Sequence, residues 1–328
     1  MPSIDLDLYG ARLRLTSESG EIIEELRRDF AFFLAPPAAR QPLLHLDLKL
    51  GPSPRAPAWP ITLWTRGYRV VDRWPRRWVR YRDGAMAEID ATLGRGTIWA
   101  DSLDRLHELG YLCALSRAGE ELDSRGLHRV HALGFSWGGQ GGLLLLSSGG
   151  GKTTLALELS RLPGFSVLSD DTPLLTSDLT LRAFPLRLAF RSDADLSGIP
   201  AEALRPFRRL DYGDKSLLDA EFLGRPPKSV PLRWLLLGRR GQGPSFERAG
   251  KGETLISLGL NLVVGWGVPQ MAEFRLRPLA FRMLARAATS RARLSLRALE
   301  ARQAHRFVLG GEPRLAAEAL RCFVGGTS

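Results

Sequence analysis

Residues 143–159 read LLLLSSGGGKTTLALEL, and this stretch decides the fold of the chain around it. Leucines 143–146 predict a buried strand, and LALEL at 155–159 predicts a helix. A glycine-rich turn between a strand and a helix lets backbone N–H groups converge on an anion, and the helix dipole adds positive potential there. The stretch therefore predicts a phosphate-binding loop in an α/β layer.

The loop supplies both phosphate and metal ligands. Its residues are Ser147, Ser148, Gly149, Gly150, Gly151, Lys152, Thr153 and Thr154. In such loops the lysine reaches the β- and γ-phosphates of a nucleotide, and the hydroxyl after it binds Mg²⁺. We therefore expect Lys152 to bind phosphate, Thr153 to bind metal, and the cofactors to be ATP and Mg²⁺. Leu146 is a departure, because the common pattern has its first glycine there.

An acidic pair follows the next apolar segment. Asp170 and Asp171 come after residues 165–168, FSVL, and so are expected at a strand end beside the loop. There one carboxylate can hold Mg²⁺ while the other accepts the proton of an attacking hydroxyl. The pair alone also fits an ordinary turn before Pro173, but the phosphate loop favours the functional interpretation.

His131 lies upstream of the loop, and a lone histidine is usually structural. Together with the loop, the helix LALEL and the acidic pair, however, it makes residues 127–175 resemble the catalytic core of HPr kinase/phosphorylase. That family shares its nucleotide-binding fold with phosphoenolpyruvate carboxykinases. The resemblance implies that Asp170 is the general base, that Asp171 assists at the metal, and that His131 lies near the transferring phosphate.

The later sequence departs from that family. Its signature of an acid followed by Arg-Gly-Leu-Gly is absent, and residues 180–191, TLRAFPLRLAFR, offer arginines without an acid. The chain is more similar to stand-alone HPr-kinase-like proteins, some of which phosphorylate serine on ribosomally made peptides such as lasso peptides. In that group a basic residue follows in a segment resembling residues 214–219, DKSLLD, which implies Lys215 as a phosphate contact.

The motifs and the resemblance together predict a kinase. It would transfer the γ-phosphoryl group of ATP to a serine-type hydroxyl of a peptide or protein, with a ribosomally made peptide as one candidate. Two alternatives stay open. One is a kinase for a small-molecule hydroxyl, because a fold does not determine its substrate. The other is a nucleotide-gated binding protein without phosphoryl transfer.

We expect two domains and an α/β fold with some α+β elements. Residues 1–125 predict a smaller mixed α/β domain that could present the acceptor, with a strand at 6–17 and helices at 21–35 and 101–120. Residues 126–328 predict the kinase domain, which the resemblance makes similar to the P-loop domain of HPr kinase and phosphoenolpyruvate carboxykinase.

The composition is strongly basic. The 328 residues include 46 basic and 35 acidic side chains, a formal charge of +11, and all but five of the basic residues are arginine. GC-rich coding accounts for much of this, and a surface for anionic partners is the alternative. Residues 273–314 hold ten arginines and three acids, which fits a solvated helix face or a docking site for an acidic peptide. A homo-oligomer stays possible.

Several protein classes are not expected. Cys113 and Cys322 are too few for a disulfide scaffold, and no Cys/His cluster predicts a zinc site. The N-terminus lacks the basic and then apolar pattern of a signal peptide. No apolar run approaches the roughly 20 residues that span a bilayer. We therefore expect a cytoplasmic protein without membrane contact.

Residues 66–82 interleave seven arginines with Tyr68, Trp74, Trp78 and Tyr81. Such interleaving can bind single-stranded nucleic acid through stacking and charge. The favoured interpretation is a β-hairpin with its aromatic side chains inward and its arginines outward, because no known nucleic-acid motif accompanies the segment. Nucleic acid is therefore not an expected partner.

Overall fold

The fold comes from a computed structural model that describes residues 1–37, 42–191, 194–196, 198–208, 213–265, 272–275 and 280–326. The chain is mixed α/β and forms two compact units. The first comprises the described residues of Met1–Leu122, Phe190–Asp219 and Pro269–Ala280, and the second those of Asp123–Ala189, Ala220–Val268 and Phe281–Ser328. The first break lies near the expected boundary at residue 125, but two later segments return to the first unit.

Strands and helices are numbered along the chain. The strands are β1 Ser3–Leu8, β2 Ala11–Ser17, β3 Leu34–Ala35, β4 Leu44–Leu50, β5 Ile61–Trp64, β6 Tyr68–Arg73, β7 Arg76–Tyr81, β8 Met86–Asp90, β9 Arg95–Ala100, β10 His128–Arg129, β11 Leu133–Trp137, β12 Gln140–Leu145, β13 Phe165–Ser169, β14 Leu174–Leu175, β15 Thr180–Arg182, β16 Leu188–Arg191, β17 Leu204–Phe207, β18 Lys215–Leu218, β19 Ser229–Arg239, β20 Ser245–Arg248 and β21 Ala304–Val308. The helices are α1 Gly20–Asp29, α2 Leu103–Ser124, α3 Lys152–Ser160, α4 Lys251–Leu258, α5 Ala272–Arg275, α6 Ala280–Ala301 and α7 Pro313–Gly326. A π-helical stretch, Gly259–Val264, continues α4.

The first unit is built on a wide mixed sheet. Within its described residues, nine strands pair in the order β3-β1-β2-β4-β9-β8-β7-β6-β5. Successive side chains of a strand point to opposite faces of the sheet. In β1, Ile4 and Leu6 are buried on one face, while Asp5 points to the other. Helix α1 begins at Ser19, whose hydroxyl accepts the backbone N–H of Ile22.

The single strand predicted over residues 6–17 is wrong, because the segment is a hairpin. Strands β1 and β2 pair antiparallel, and Leu8 lies opposite Ala11. Tyr9 and Gly10 between them have φ values of 54° and 91°. Positive φ at both central residues is typical of the two-residue turn that matches the twist of a hairpin. Apolar and polar residues alternate on both sides of the turn, so the pattern does not reveal where the turn lies.

A buried ion pair holds one returning segment to the first unit, and buried hydrogen bonds hold the other. Arg205 of β17 donates to Asp29 at 2.9 Å, and both side chains are almost fully buried. Glu273 of α5 accepts a hydrogen bond from the Tyr81 hydroxyl at 3.1 Å, and its carbonyl accepts one from Arg77 at 2.9 Å. Strands β16, β18 and β17 add a small separate sheet in that order.

The segment predicted as a basic and aromatic hairpin is the hairpin of β6 and β7. Its aromatic side chains do not all point inward as expected. Tyr81 is buried, but Trp74 is 62% exposed in the turn between the two strands, outside the strand residues that pack on the core. Arg77 is buried, whereas the other described arginines of β6 and β7 are exposed.

The second unit contains a second mixed sheet that carries the glycine-rich loop. Its described strands follow the order β10-β14-β15-β19-β12-β11-β13, and β21 pairs with both β19 and β20. Strand β19 is parallel to β12 and to β21. One hydrophobic cluster joins α3, α7 and this sheet; it includes Phe135, Leu144, Leu155, Leu159, Trp234, Leu236, Phe307, Leu320 and Val324. Within the described residues, no helix is long and apolar enough to cross a bilayer.

A close contact fixes β12 against β11. Gly142 lies opposite Phe135, and the ring of Phe135 fills the space where a side chain of Gly142 would stand. A Cβ atom at this position would come within 2.1 Å of Phe135 Cζ. The strand that leads into the loop therefore depends on a glycine at this point.

We expect Gly142→Ala to lower the free energy of unfolding by about 1–3 kcal/mol, because the buried ring must shift out of its place. Chemical denaturation followed by circular dichroism measures this. Gly243→Ala is the matched control, since a Cβ there meets no atom within 4 Å. Equal stability of the two variants would contradict the packing argument.

Candidate active site

The glycine-rich loop joins β12 to α3, as the sequence predicts. Strand β12 is held from the side by β19, where Leu143 to Leu145 pair with Leu235 to Leu237. Leu146, at the position of the missing motif glycine, is 4% exposed and belongs to the core cluster. Its side chain packs inward while its carbonyl stays at the loop, so the departure from the motif anchors the loop.

The shape of the loop depends on its glycines. Gly149 and Gly151 have φ values of 72° and 104°, which L side chains rarely adopt. Gly150 has no room for a side chain, because a Cβ would lie 2.5 Å from Leu146 Cγ. Its N–H donates to the carbonyl of Ser147 at 3.0 Å, which closes a tight turn.

Helix α3 begins at the loop with its N-terminal N–H groups available. Gly151 precedes the helix, and no described side chain caps it. The first N–H groups of a helix have no partner within the helix, and they attract an anion together with the helix dipole. The end of the loop therefore has the backbone chemistry of a phosphate site.

Lys152 is drawn back into the loop. Its side chain is 6% exposed, and its ammonium group donates to the carbonyl of Leu146 at 2.7 Å and to that of Ser147 at 3.4 Å. It also lies 2.9 Å from His131 Nε2 and 3.7 Å from Asp171 Oδ1. Burial lowers the pKa of Lys152, and the charges of the acidic pair oppose that shift.

His131 connects the lysine to the acidic pair. A charged lysine at Nε2 can only donate, so the imidazole proton belongs on Nδ1. Nδ1 is buried 3.2 Å from Asp171 Oδ1, at ion-pair distance but without the alignment of a good hydrogen bond. The backbone N–H of His131 donates to the carbonyl of Asn261 in the π-helical stretch at 2.9 Å, which holds the residue in place.

Asp170 lies beside the loop hydroxyl. Thr153 Oγ1 donates to Asp170 Oδ2 at 3.1 Å. Burial raises the pKa of Asp170 to about 7, with a further contribution from the negative charge of Asp171; the hydrogen bond from Thr153 and the charge of Lys152 oppose it. The carboxylate is thus held in a place that favours its neutral form.

Asp171 has the opposite environment although it is the next residue. Partial desolvation disfavours its charge, but the contacts with His131 and Lys152 outweigh this and lower the pKa of Asp171. Its side chain remains 41% exposed. Its backbone carbonyl accepts the N–H of Ala132 at 3.0 Å, which ties the acidic turn to the strand after His131. Asp171 is therefore ionised at neutral pH and open to solvent.

Arg240 is a site residue that the sequence did not single out. It follows β19, and its guanidinium donates to the carbonyl of Gly149 at 2.8 Å and to that of Gly150 at 3.4 Å. These bonds turn two loop carbonyls toward the arginine. The only signal in the sequence was an arginine after an apolar strand, which many arginines of this chain share.

The structure brings most of the predicted site residues together in the second unit. His131, Lys152, Asp170 and Asp171 meet at the loop formed by residues 147–154. Lys215 belongs to the first unit, in β18, where its backbone is paired with Phe207 of β17, and its predicted phosphate contact stays a prediction.

The predicted metal ligands are arranged differently from the expectation. The hydroxyl of Thr153 contacts Asp170, not Asp171. The described part of the chain has no group of three or more His, Cys, Asp or Glu side chains that could enclose a metal. A hydroxyl and one carboxylate still fit Mg²⁺, which usually takes one or two protein oxygens and completes its shell with phosphate and water.

Comparison with protein-family models gives no match for this chain, and comparison with curated proteins gives none either.

The raised pKa of Asp170 predicts a pH-dependent cost to stability. The folded state binds a proton at Asp170 up to about pH 7, and the unfolded chain releases it near its usual pKa of about 4. Unfolding free energy therefore falls as pH rises through that window, and the full cost remains above it.

We expect Asp170→Asn to raise the melting temperature of the protein without nucleotide or metal at pH 8. The rise should be roughly 2–4 °C for each kcal/mol removed and should shrink toward pH 5. Differential scanning calorimetry at both pH values measures it. A variant that is less stable than the parent at pH 8, or equally shifted at both pH values, would contradict the prediction.

Proposed function

We propose that the chain is an ATP-dependent kinase whose second unit is a P-loop domain of the HPr-kinase type. It transfers the γ-phosphoryl group to a serine-type hydroxyl of a peptide or protein. The observation that carries the proposal is the convergence of Lys152, His131 and the pair Asp170-Asp171 on one glycine-rich loop at the start of a helix. Phosphoryl transfer needs positioning and charge neutralisation, and this group supplies both.

Nucleotide binding exchanges partners at Lys152. The ammonium now satisfies two loop carbonyls, of Leu146 and Ser147. A triphosphate in the loop offers charged oxygens instead, so the attraction of opposite charges is added to the hydrogen bonds of the ammonium. The buried lysine thus gains a counter-charge on binding, and the N–H groups at the start of α3 hold the remaining phosphate oxygens.

Thr153 and Asp170 would hold Mg²⁺. Their oxygens are 3.1 Å apart, so one cation can touch both. Because Asp170 lies where its own charge is disfavoured, an added cation restores the balance there. When bound, Mg²⁺ neutralises charge on the phosphates. The geometry therefore supports Asp170 as the metal ligand, and Asp171 takes the role of base.

Asp171 would accept the proton of the acceptor hydroxyl. It is ionised, exposed to solvent, and lies beside the lysine that binds the transferring phosphate. The acceptor oxygen forms a bond to the γ-phosphorus, the bond from that phosphorus to the β–γ bridging oxygen breaks, and ADP leaves with the electron pair. The hydroxyl proton passes to Asp171, and His131 holds that carboxylate in place through Nδ1.

Different site variants should impair ATP binding and phosphoryl transfer separately. We expect Lys152→Ala to weaken ATP binding, and Asp171→Asn to keep binding while slowing transfer at least a hundred-fold. Isothermal calorimetry gives binding, and mass spectrometry of peptide and protein acceptors incubated with ATP and Mg²⁺ gives transfer. The matched control is Lys251→Ala, since Lys251 is exposed at the start of α4.

The outcomes separate the candidate functions. Phosphate on a serine of a peptide or protein supports the proposal. Phosphate only on small hydroxyl compounds would move it to a small-molecule kinase. ATP binding without any acceptor or hydrolysis would favour a nucleotide-gated binding protein. Loss of ATP binding in Lys251→Ala but not in Lys152→Ala would overturn the loop assignment.

Arg240 should act through the shape of the loop. Its bonds to the carbonyls of Gly149 and Gly150 keep the loop N–H groups turned toward the phosphate side. We expect Arg240→Ala to raise KM for ATP about five- to tenfold, the loss of one to two hydrogen bonds, with kcat nearly unchanged. Arg239→Ala is the neighbouring control, because Arg239 pairs with Glu253 and not with the loop. An unchanged KM would contradict the role.

A further inference from the structure

One face of the first sheet is open and carries indole and guanidinium groups. Along β6 and β7 the buried face holds Val70, Val79 and Tyr81. The opposite face follows from the register: Trp64 of β5 lies opposite Arg69 of β6, and Arg69 lies opposite Arg80 of β7. These three side chains therefore form one row across three strands, about 4.8 Å from strand to strand.

The indole at the end of this row is unusually exposed. Trp64 is 81% exposed and Trp74, at the tip of the same hairpin, is 62% exposed. On the same face Trp78 stacks on Trp99 with ring planes 4° apart and centroids at 5.9 Å. Large apolar groups on a surface carry a cost in water, so an exposed tryptophan in this setting points to a ligand with a flat face.

Three exposed arginines of this face have no ion-pair partner among the described residues. Arg69, Arg73 and Arg80 are exposed, and no described carboxylate pairs with them, whereas the nearby Arg77 is paired with Asp72 at 2.5 Å. Exposed guanidinium groups without counter-ions create a positive surface that suits phosphate. Arg66 and Arg82, also exposed and without a described ion pair, lie at the end of the hairpin near Trp64, whereas Arg73 lies at the end near Trp74. We call these five arginines with Trp64 and Trp74 the hairpin face.

The edge of the sheet is protected against the addition of another strand. Edge strand β5 has four residues, follows Pro60, and has an irregularity between Ile61 and Leu63. Short length, proline and a bulge are the devices by which natural sheets avoid edge pairing. An extended peptide would lack its main source of affinity here. The ligand must instead lie on the face and supply both repeated negative charge and flat rings.

We propose that the hairpin face binds single-stranded nucleic acid. Bases stack on Trp64 and Trp74, and the phosphates between them contact Arg69, Arg73 and Arg80. Aromatic stacking platforms within a positive surface are how proteins hold single strands without reading their sequence. This function is separate from phosphoryl transfer, and it reverses the expectation drawn from an inward-facing hairpin. An acidic polypeptide is the competing class, and it would use the arginines without needing the indoles.

Fluorescence anisotropy of the full chain with labelled oligo-dT and oligo-rU tests the proposal. Trp64→Leu keeps an apolar side chain but no ring face, and we expect it to weaken binding roughly five- to a hundred-fold, the range for one stacked base. Trp64→Phe should retain most of the affinity. Arg69→Ala with Arg80→Ala should make the slope of log affinity against log salt shallower by about 1.4, since each phosphate contact on a single strand contributes about 0.7.

The matched control removes equal charge elsewhere. Arg293 and Arg314 are exposed without described partners in the second unit, and Arg293→Ala with Arg314→Ala should leave oligonucleotide binding unchanged. Equal losses in both double variants, unaltered binding in Trp64→Leu, or equal competition by polyglutamate would overturn the proposal. So would an absence of binding at low salt. ATP binding by the Trp64 variants, which should match the parent, distinguishes this failure from failure of the kinase proposal.

Discussion

The buried ammonium of Lys152 is the constraint on which the site depends. A charge on a side chain that is only 6% exposed must be met by acceptors, and the loop carbonyls of Leu146 and Ser147, together with His131, provide them. The same carbonyls hold the loop closed around the lysine, and His131 places Asp171 on its far side. The loop without nucleotide is thus stabilised by contacts that a polyphosphate can replace.

The acidic pair shows how neighbours in sequence acquire different chemistry. Asp170 faces the hydroxyl of Thr153 in a poorly solvated place, while Asp171 faces His131 and Lys152 and reaches solvent. Asp170 has no described ion pair, whereas Asp171 lies beside the imidazole of His131 and the ammonium of Lys152. Burial without a described ion pair raises the pKa of Asp170, while the contacts with His131 and Lys152 lower that of Asp171.

The sequence predicted the elements that depend on a local pattern of residues, and it did not predict the contacts between residues that are distant in the chain. The glycine loop, its strand and helix, and the acidic turn follow from spacing and apolar runs, which local chemistry determines. The helix predicted over residues 21–35 ends at Asp29, because a short 3-10 turn at Ala31–Phe33 and strand β3 use the remaining residues. The helix predicted over residues 101–120 runs from Leu103 to Ser124, four residues beyond the expected end. The contact of Arg240 with the loop, and the contact of Asp170 with Thr153, depend on how strands lie beside one another, and no local pattern contains that.

The first unit has a consequence for how the protein is made. Asp29 is buried near the start of the chain, and its counter-charge Arg205 lies 176 residues later. Glu273, which accepts the hydroxyl of Tyr81, follows later still. During synthesis from the N-terminus, the first sheet can form its strands early, and Asp29 can contact His107, which lies 2.6 Å away. The charge of Arg205 and the hydrogen bond to Glu273 are added only after residues 123–189 of the second unit have been translated. A fragment ending near residue 125 would therefore leave Asp29 without Arg205 and Tyr81 without Glu273, so the first unit is completed only after part of the second unit has been made.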